Sequence, residues 1–320
     1  MRLKLAPDNT KIDFFRWAPL TFGGSFVAAA LSIVLWAVMG LNYGIDFKGG
    51  TTIRTESTQV VDVGTYREAL SGLGLGDVLI TEVFDPSFRD DQHVAMIRIS
   101  AQEGVEAVTP EIIAVVEDAL RSVDPAITFP SVESVGPKVS SELIWTALLA
   151  VAAACLGIGG YVWLRFEWQY GLGAVVALFH DVIVTVGVFA LFQLKFDLNI
   201  VAALLTILGY SINDTVVVFD RLRENLIKFK TMPLRDVMNL SVNETLSRTL
   251  MTATTVLISL IALLIFGGDV IRGFIFAITF GVVIGTYSSV YVAKNVVLYF
   301  GLPRGDKPKA GGGQYAHIDA

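Results

Sequence analysis

The chain has 320 residues and a formal net charge of −6; 53% of its residues are hydrophobic, 17% are charged, and the mean hydropathy is +0.62. A soluble domain carries nearer a quarter charged residues, so the composition excludes an ordinary soluble protein. The single cysteine, Cys155, excludes an intrachain disulfide, and His93, His180 and His317 are too widely spaced in sequence for a metal-ligand motif.

Residues 1–16 form a polar N-terminal arm, and residues 17–39 form the first long apolar block. That run exceeds the roughly 7–15 residues of a signal-peptide core. No A-x-A cleavage site follows it, so a retained transmembrane helix is expected.

Residues 40–140 differ in kind. They carry 16 acidic and 7 basic side chains and read as a folded domain rather than a loop. Strands are expected at 49–55, 78–84, 93–100 and 127–135, helices at 63–72 and 110–123, and a turn at 85–92. The second helix has Pro110 in its first turn, with Thr109 before it as a cap and Glu111 beside it. The order βαββαβ is the ferredoxin-like split motif. Such a sheet implies no function by itself. A spacer and a surface that meets polypeptide are both open readings.

Five further apolar blocks follow within residues 141–300, at about 143–163, 170–192, 198–219, 249–266 and 274–292. Each is about the 20 residues needed to cross a hydrocarbon core of roughly 30 Å. Only helices satisfy their own backbone hydrogen bonds there. The fold class expected is a multi-pass α-helical membrane protein, with six transmembrane helices and an α+β ferredoxin-like extracytoplasmic domain between helices 1 and 2. Residues 220–248 are expected as a loop and 301–320 as a tail, in which the glycines at 311–313 form no phosphate loop.

Orientation follows from lysine and arginine. Outside the domain there are 17, and a six-span topology puts 15 on one side; only Lys195 and Arg272 fall on the other. The rich side is cytoplasmic by the positive-inside rule, so both termini are inside and the domain is outside. The basic stretch 221–235 is either an orientation determinant or a contact for anionic lipid.

Charged groups inside the membrane are costly and need a reason. Asp181 lies halfway along the third span, Asp214 in the fourth, and Arg248 opens the fifth. Thr206, Tyr210, Asn213 and Asp214 share one helical face; Thr252, Thr255 and Ser259 extend a second polar stripe from Arg248. Gly281, Gly285 and Ser289 recur at four-residue spacing in the sixth span, where small residues permit close helix contact. A desolvated carboxyl group favours its protonated form and a neighbouring arginine opposes this, so an Asp214–Arg248 pair can load and release a proton. The membrane potential supplies roughly 2.3 kcal/mol per charge per 100 mV. A pair that only locks two helices is the alternative. For Asp181 the alternative is a hydrogen bond to a neighbouring span. Hydroxyls in membrane helices also bond to the carbonyl one turn earlier, so the stripes alone do not establish a path.

Several runs resemble those of the SecD/SecF family, within the resistance-nodulation-division superfamily of proton-driven transporters. They are GIDFKGG at 44–50, SVESVGP at 131–137, LFHDVIVT at 178–185, GYSINDTVVVFDRLREN at 209–225 and SRTLMTATTVL at 247–257. They cover most of residues 40–290 in the family's order. The resemblance implies an accessory role in Sec-dependent protein export across the bacterial inner membrane, powered by the proton gradient with no cofactor and no metal. It implies a SecD partner, the SecYEG channel, YajC, unfolded exported polypeptide and membrane lipid as contacts, and no nucleic acid. It also implies proton passage at Asp214 and Arg248, with a less defined role for Asp181. In the signature, Gly44, Gly49 and Gly50 suit a sharp helix-to-strand junction. Asp46 and Lys48 are candidates to pair or to meet headgroups there. A proton-driven exporter of small molecules or lipids is the alternative, but such chains carry two six-span halves. A structural subunit that carries no proton is the other. The sequence shows no nucleotide-binding loop or nucleophile triad, so a non-enzymatic role is expected.

Overall fold

The computed structural model describes residues 10–60, 62–86, 88–100 and 109–302. Most of the N-terminal arm and nearly all of the tail, with the glycines at 311–313, lie outside them. Among the described residues, six helices are long and apolar enough to cross a membrane. The first, α1 (Ala18–Met39), has Pro19 in its first turn and stops at Gly40, whose φ of +68° suits glycine.

A short junction follows. Strand β1 (Asn42–Tyr43) and the turn of helix α2 (Ile45–Lys48) lead into β2 (Gly50–Ser57). Gly49 and Gly50 have φ values of +74° and +130°, so the signature glycines bend the chain where other residues would be strained. The outer domain continues with α3 (Val63–Ser71), β3 (Val78–Val83), β4 (His93–Ser100), α4 (Pro110–Val123) and β5 (Thr128–Val135). Its antiparallel sheet runs β3-β4-β2-β5, the strand order of the expected split motif. The core joins Ile53, Ile80, Ile97 and Ile99 of the sheet to Tyr66, Leu70, Val116 and Leu120 of the two helices. Asp62 caps α3 by accepting from the Gly64 amide at 2.9 Å; the bond from the Thr65 hydroxyl, and then this one, hold its carboxyl below the usual range. Thr109 occupies the cap position of α4, but its side chain makes no capping bond to the backbone.

The chain re-enters the membrane in α5 (Pro137–Arg165), then α6 (Trp168–Leu191). Strand β6 (Lys195–Phe196) pairs in parallel with β1 and leads into α7 (Leu198–Lys228), α8 (Leu234–Phe266), α9 (Asp269–Tyr291) and α10 (Ala293–Phe300). Asp46 does not pair with Lys48. It accepts from the Leu198 amide at 2.9 Å and so caps α7. Tyr43, Phe47, Phe189 and Phe196 pack edge-on or tilted around this corner.

The loop expected over 220–248 is instead helical except for a turn at 229–233. The hydropathic blocks end where charges begin, but the amphipathic pattern continues. Phe219, Leu222, Val237 and Met238 are fully buried against each other. Arg221 bonds Glu244 at 2.7 Å, and Asn225 donates to Ser241 at 3.0 Å. Far across the membrane, the outer domain touches the α8–α9 connection. Phe84 donates to Asp269 Oδ2 at 2.7 Å and accepts from the Asp269 amide at 3.1 Å; Asp269 is also ion-paired with Arg272.

Candidate functional site

The spans divide into an inner pair and a periphery. The most apolar windows of α6 and α7 are 56% and 50% buried, against 11% for α1 and α5. Small residues set the spacing. A β-carbon on Gly281 of α9 would fall 2.3 Å from the Ile207 side chain of α7, and one on Gly285 would meet Ser211 at 3.0 Å. A β-carbon on Gly187 of α6 would similarly meet Ser32 of α1 at 2.2 Å. The polar side chains of α6, α7 and α9 are thereby brought within direct reach of one another.

Asp181 sits at the centre of that contact and is fully buried. Its Oδ2 accepts from Ser211 Oγ at 2.6 Å and from Ser288 Oγ at 2.8 Å; its Oδ1 lies 3.1 Å from His180 Nδ1. One carboxylate therefore ties three helices together through hydrogen bonds, which are the charge-assisted kind when it is ionised. Ser211 and Ser288 escaped the sequence reading because isolated serines in an apolar helix carry no distinguishing pattern.

Asp214 lies three residues further along α7 and has no such partners. It is 4% exposed, and its Oδ2 makes no hydrogen bond. Arg248 is exposed on α8 and interacts with Asp214 electrostatically. A second cation, Lys294 of α10, interacts with it more strongly. Lys294 is fully buried, and its Nζ also makes no hydrogen bond. It lies two residues beyond the last apolar block, so it reads from sequence as a cytoplasmic charge. The signal that places it inside is the continued apolar spacing of Val292, Ala293, Val296 and Val297, all buried.

The polar stripes are only partly internal. Thr206, Asn213, Arg248, Thr255 and Ser259 are exposed, and Tyr210 and Thr252 are half-buried. Thr206, Thr252, Thr255 and Ser259 donate to carbonyls of their own helices, to Ala202, Arg248, Met251 and Thr255 respectively. These four hydroxyls are therefore spent on their own helices. Thr206, Asn213, Arg248, Thr255 and Ser259 form an outward polar face, beside Gly209, where a β-carbon would meet nothing within 4 Å. Ser289 is internal and bonds its own helix at Thr286. Among the described residues no cluster of side chains suits a metal ion.

The family description "Protein export membrane protein SecD/SecF, C-terminal" matches residues 115–302, and "SecD/SecF GG Motif" matches residues 34–59. The chain is 72% identical to the protein translocase subunit SecF of Cereibacter sphaeroides, over all of this chain and 99% of that one. It is 66% identical to the subunit of the same name from Rhodobacter capsulatus, over 96% and 94%. Among solved structures it is similar to SecDF of Thermus thermophilus, described as a translocon-associated membrane protein, with a TM-score of 0.80 and 34% identity. A SecDF in a super-membrane-facing form superposes with a TM-score of 0.69. Each comparison covers 94% of this chain, and the chain spans 40% of the length of each SecDF chain.

Proposed function

The chain belongs to the SecD/SecF family of protein-export membrane proteins, as a SecF-type subunit, and on that premise we propose how it works. It lies in the bacterial inner membrane with its termini and the 229–233 turn in the cytoplasm. The lysine and arginine bias supports this orientation. With Lys294 buried, 14 such residues still stand on the rich side against Lys195 and Arg272.

A SecD-type half covers the exposed face of α7 and α8. Asn213 and Arg248 are the argument: an arginine facing lipid at this depth is costly, and a partner that supplies polar groups removes the cost. The complete path then runs between the two subunits, as in a transporter assembled from halves. Asp214 takes up and releases the proton, and Arg248 shares its charge. The resulting helix movement is transmitted to the outer domain, which helps draw unfolded polypeptide outward from the SecYEG channel. The proton gradient is the energy source. The observation that carries this reading is Asp214: a buried carboxylate oxygen with no hydrogen bond, set beside an outward polar face.

Asp181 contributes chiefly cohesion on this reading, because Ser211 and Ser288 already occupy its Oδ2. The two aspartates are separated by one experiment. Pulse-chase of a secreted substrate in cells carrying Asp214→Asn should lose the component of export that depends on the proton-motive force, with the chain inserted and abundant. Asp181→Asn keeps an accepting oxygen and should export normally. Normal export by Asp214→Asn overturns the proton assignment.

A further inference from the structure

We propose that Lys294 is a third member of the Asp214 site: a positioning residue that serves as the carboxylate's resident counter-charge and makes its protonation mechanically consequential. This rests on the assignment of the proton to Asp214.

Burial comes first. Lys294 is 0% exposed, and lysine is almost never fully buried unless it is paired. Its Nζ makes no hydrogen bond, and neither does Asp214 Oδ2. Asp214 is near enough to act on Lys294 electrostatically.

The level in the membrane fits as well. Helices α7 and α9 run in the same direction, and Gly281 and Gly285 face Ile207 and Ser211. That register sets Asp214 opposite Ser288. Lys294 lies six residues further on, about 9 Å along a helix axis at 1.5 Å per residue. Helical side chains point back toward the N-terminus, so the lysine stem is directed up the bundle toward Asp214. Its backbone is held in place: the Ala293 carbonyl oxygen stands 2.7 Å from where a β-carbon on Gly173 of α6 would be. The helix cannot approach α6 more closely there.

The consequence is electrostatic. With Asp214 ionised, the buried ammonium has an opposite charge near it. When Asp214 takes up a proton, its O–H bond forms and that compensation is lost. A buried, uncompensated ammonium is strongly unfavourable. The response that keeps the lysine charged is for α10 to move and let the ammonium reach water or lipid headgroups. Arg248, already exposed, suffers no comparable change. On this account Lys294 converts an uptake of charge at Asp214 into a displacement of α10 against α6.

A charge-reversion cycle tests the pair, with chain abundance and export measured in the complete membrane complex. Lys294→Met leaves Asp214 without its counter-charge, and abundance should fall several-fold. Adding Asp214→Asn should restore abundance, because neither charge is then left unpaired. Lys294→Arg keeps the charge and should retain more chain than Lys294→Met. The Lys294→Met chain that does accumulate should lose export dependent on the proton-motive force. Lys294→Met with wild-type abundance and export, or a double variant no more abundant than Lys294→Met, overturns the proposal. The abundance cycle reads the charge pair alone. Normal export by Asp214→Asn sinks the proton assignment separately.

Discussion

The two buried aspartates of the membrane helices, Asp181 and Asp214, differ in one physical respect, the saturation of their oxygens. Asp181 Oδ2 accepts two hydroxyls, whereas Asp214 Oδ2 accepts none. Residue type does not distinguish them; the serines that α7 and α9 bring to Asp181 do. A third buried acidic contact lies in the outer domain. Tyr66 is 3% exposed and donates its phenol to Asp124 Oδ2 at 3.0 Å. Burial, and then the bond to Asp124, raises its pKa above the ordinary value of 10.0. A raised folded value means that the fold favours the neutral phenol. The stability it contributes is complete below about pH 10 and is lost as pH rises beyond it. Protease resistance of the outer domain should therefore decline in alkali. Tyr66→Phe should remove that step and cost about 1 kcal/mol at neutral pH. An unchanged alkaline profile in the variant contradicts this origin.

At the scale of elements, helix faces separate what holds this chain together from what it offers to others. Gly281 lies at an internal contact and Gly209 on the outward polar face. Gly281→Val should force Ile207 aside and destabilise the bundle by about 1–3 kcal/mol, seen as reduced abundance. A β-carbon at Gly209 meets nothing within 4 Å in this chain, so in Gly209→Leu abundance without the partner should be unchanged while co-purification with a SecD-type chain falls. The reverse pattern would misassign the two faces. The elements themselves were largely legible. Strand β4 and helix α4 fall on the expected residues, since turn residues and Pro110 mark their ends. The ends of α7 and α8 were not, because charged residues interrupt hydropathy without interrupting helical periodicity: Leu222 and Val237 remain on buried faces. Lys294 was hidden for the same reason. Its charge reads as solvent, and its burial depends on α10 packing against α6. The closeness of α9 to α7 was visible in the spacing of Gly281 and Gly285, but the serines it brings to Asp181 were not.

At the scale of the whole molecule, two of the contacts among the described residues that hold the outer domain to the membrane region lie far apart in sequence. One is the Phe84–Asp269 backbone and side-chain pair at the tip of β3. Asp269→Ala removes the acceptor for the Phe84 amide, so hydrogen exchange at Phe84 should rise while that of β4 and β2 stays protected. Unchanged exchange at Phe84 would show that the contact carries no load. The other place is the β1–β6 pair, where Gly44 donates to Phe196 at 2.8 Å and Asp46 closes the end of α7. The root of the outer domain is thus stitched to the first turn of the helix that bears Asp214. A rocking of that helix about its midpoint swings its outer end, and the domain is bolted to that end like a blade to a handle. Its far edge sweeps a wider arc than the helix itself. On the proposed function, the stroke passes from lever to grip through the β1–β6 pair and the Asp46 bond, which tie the root of the domain to the end of α7.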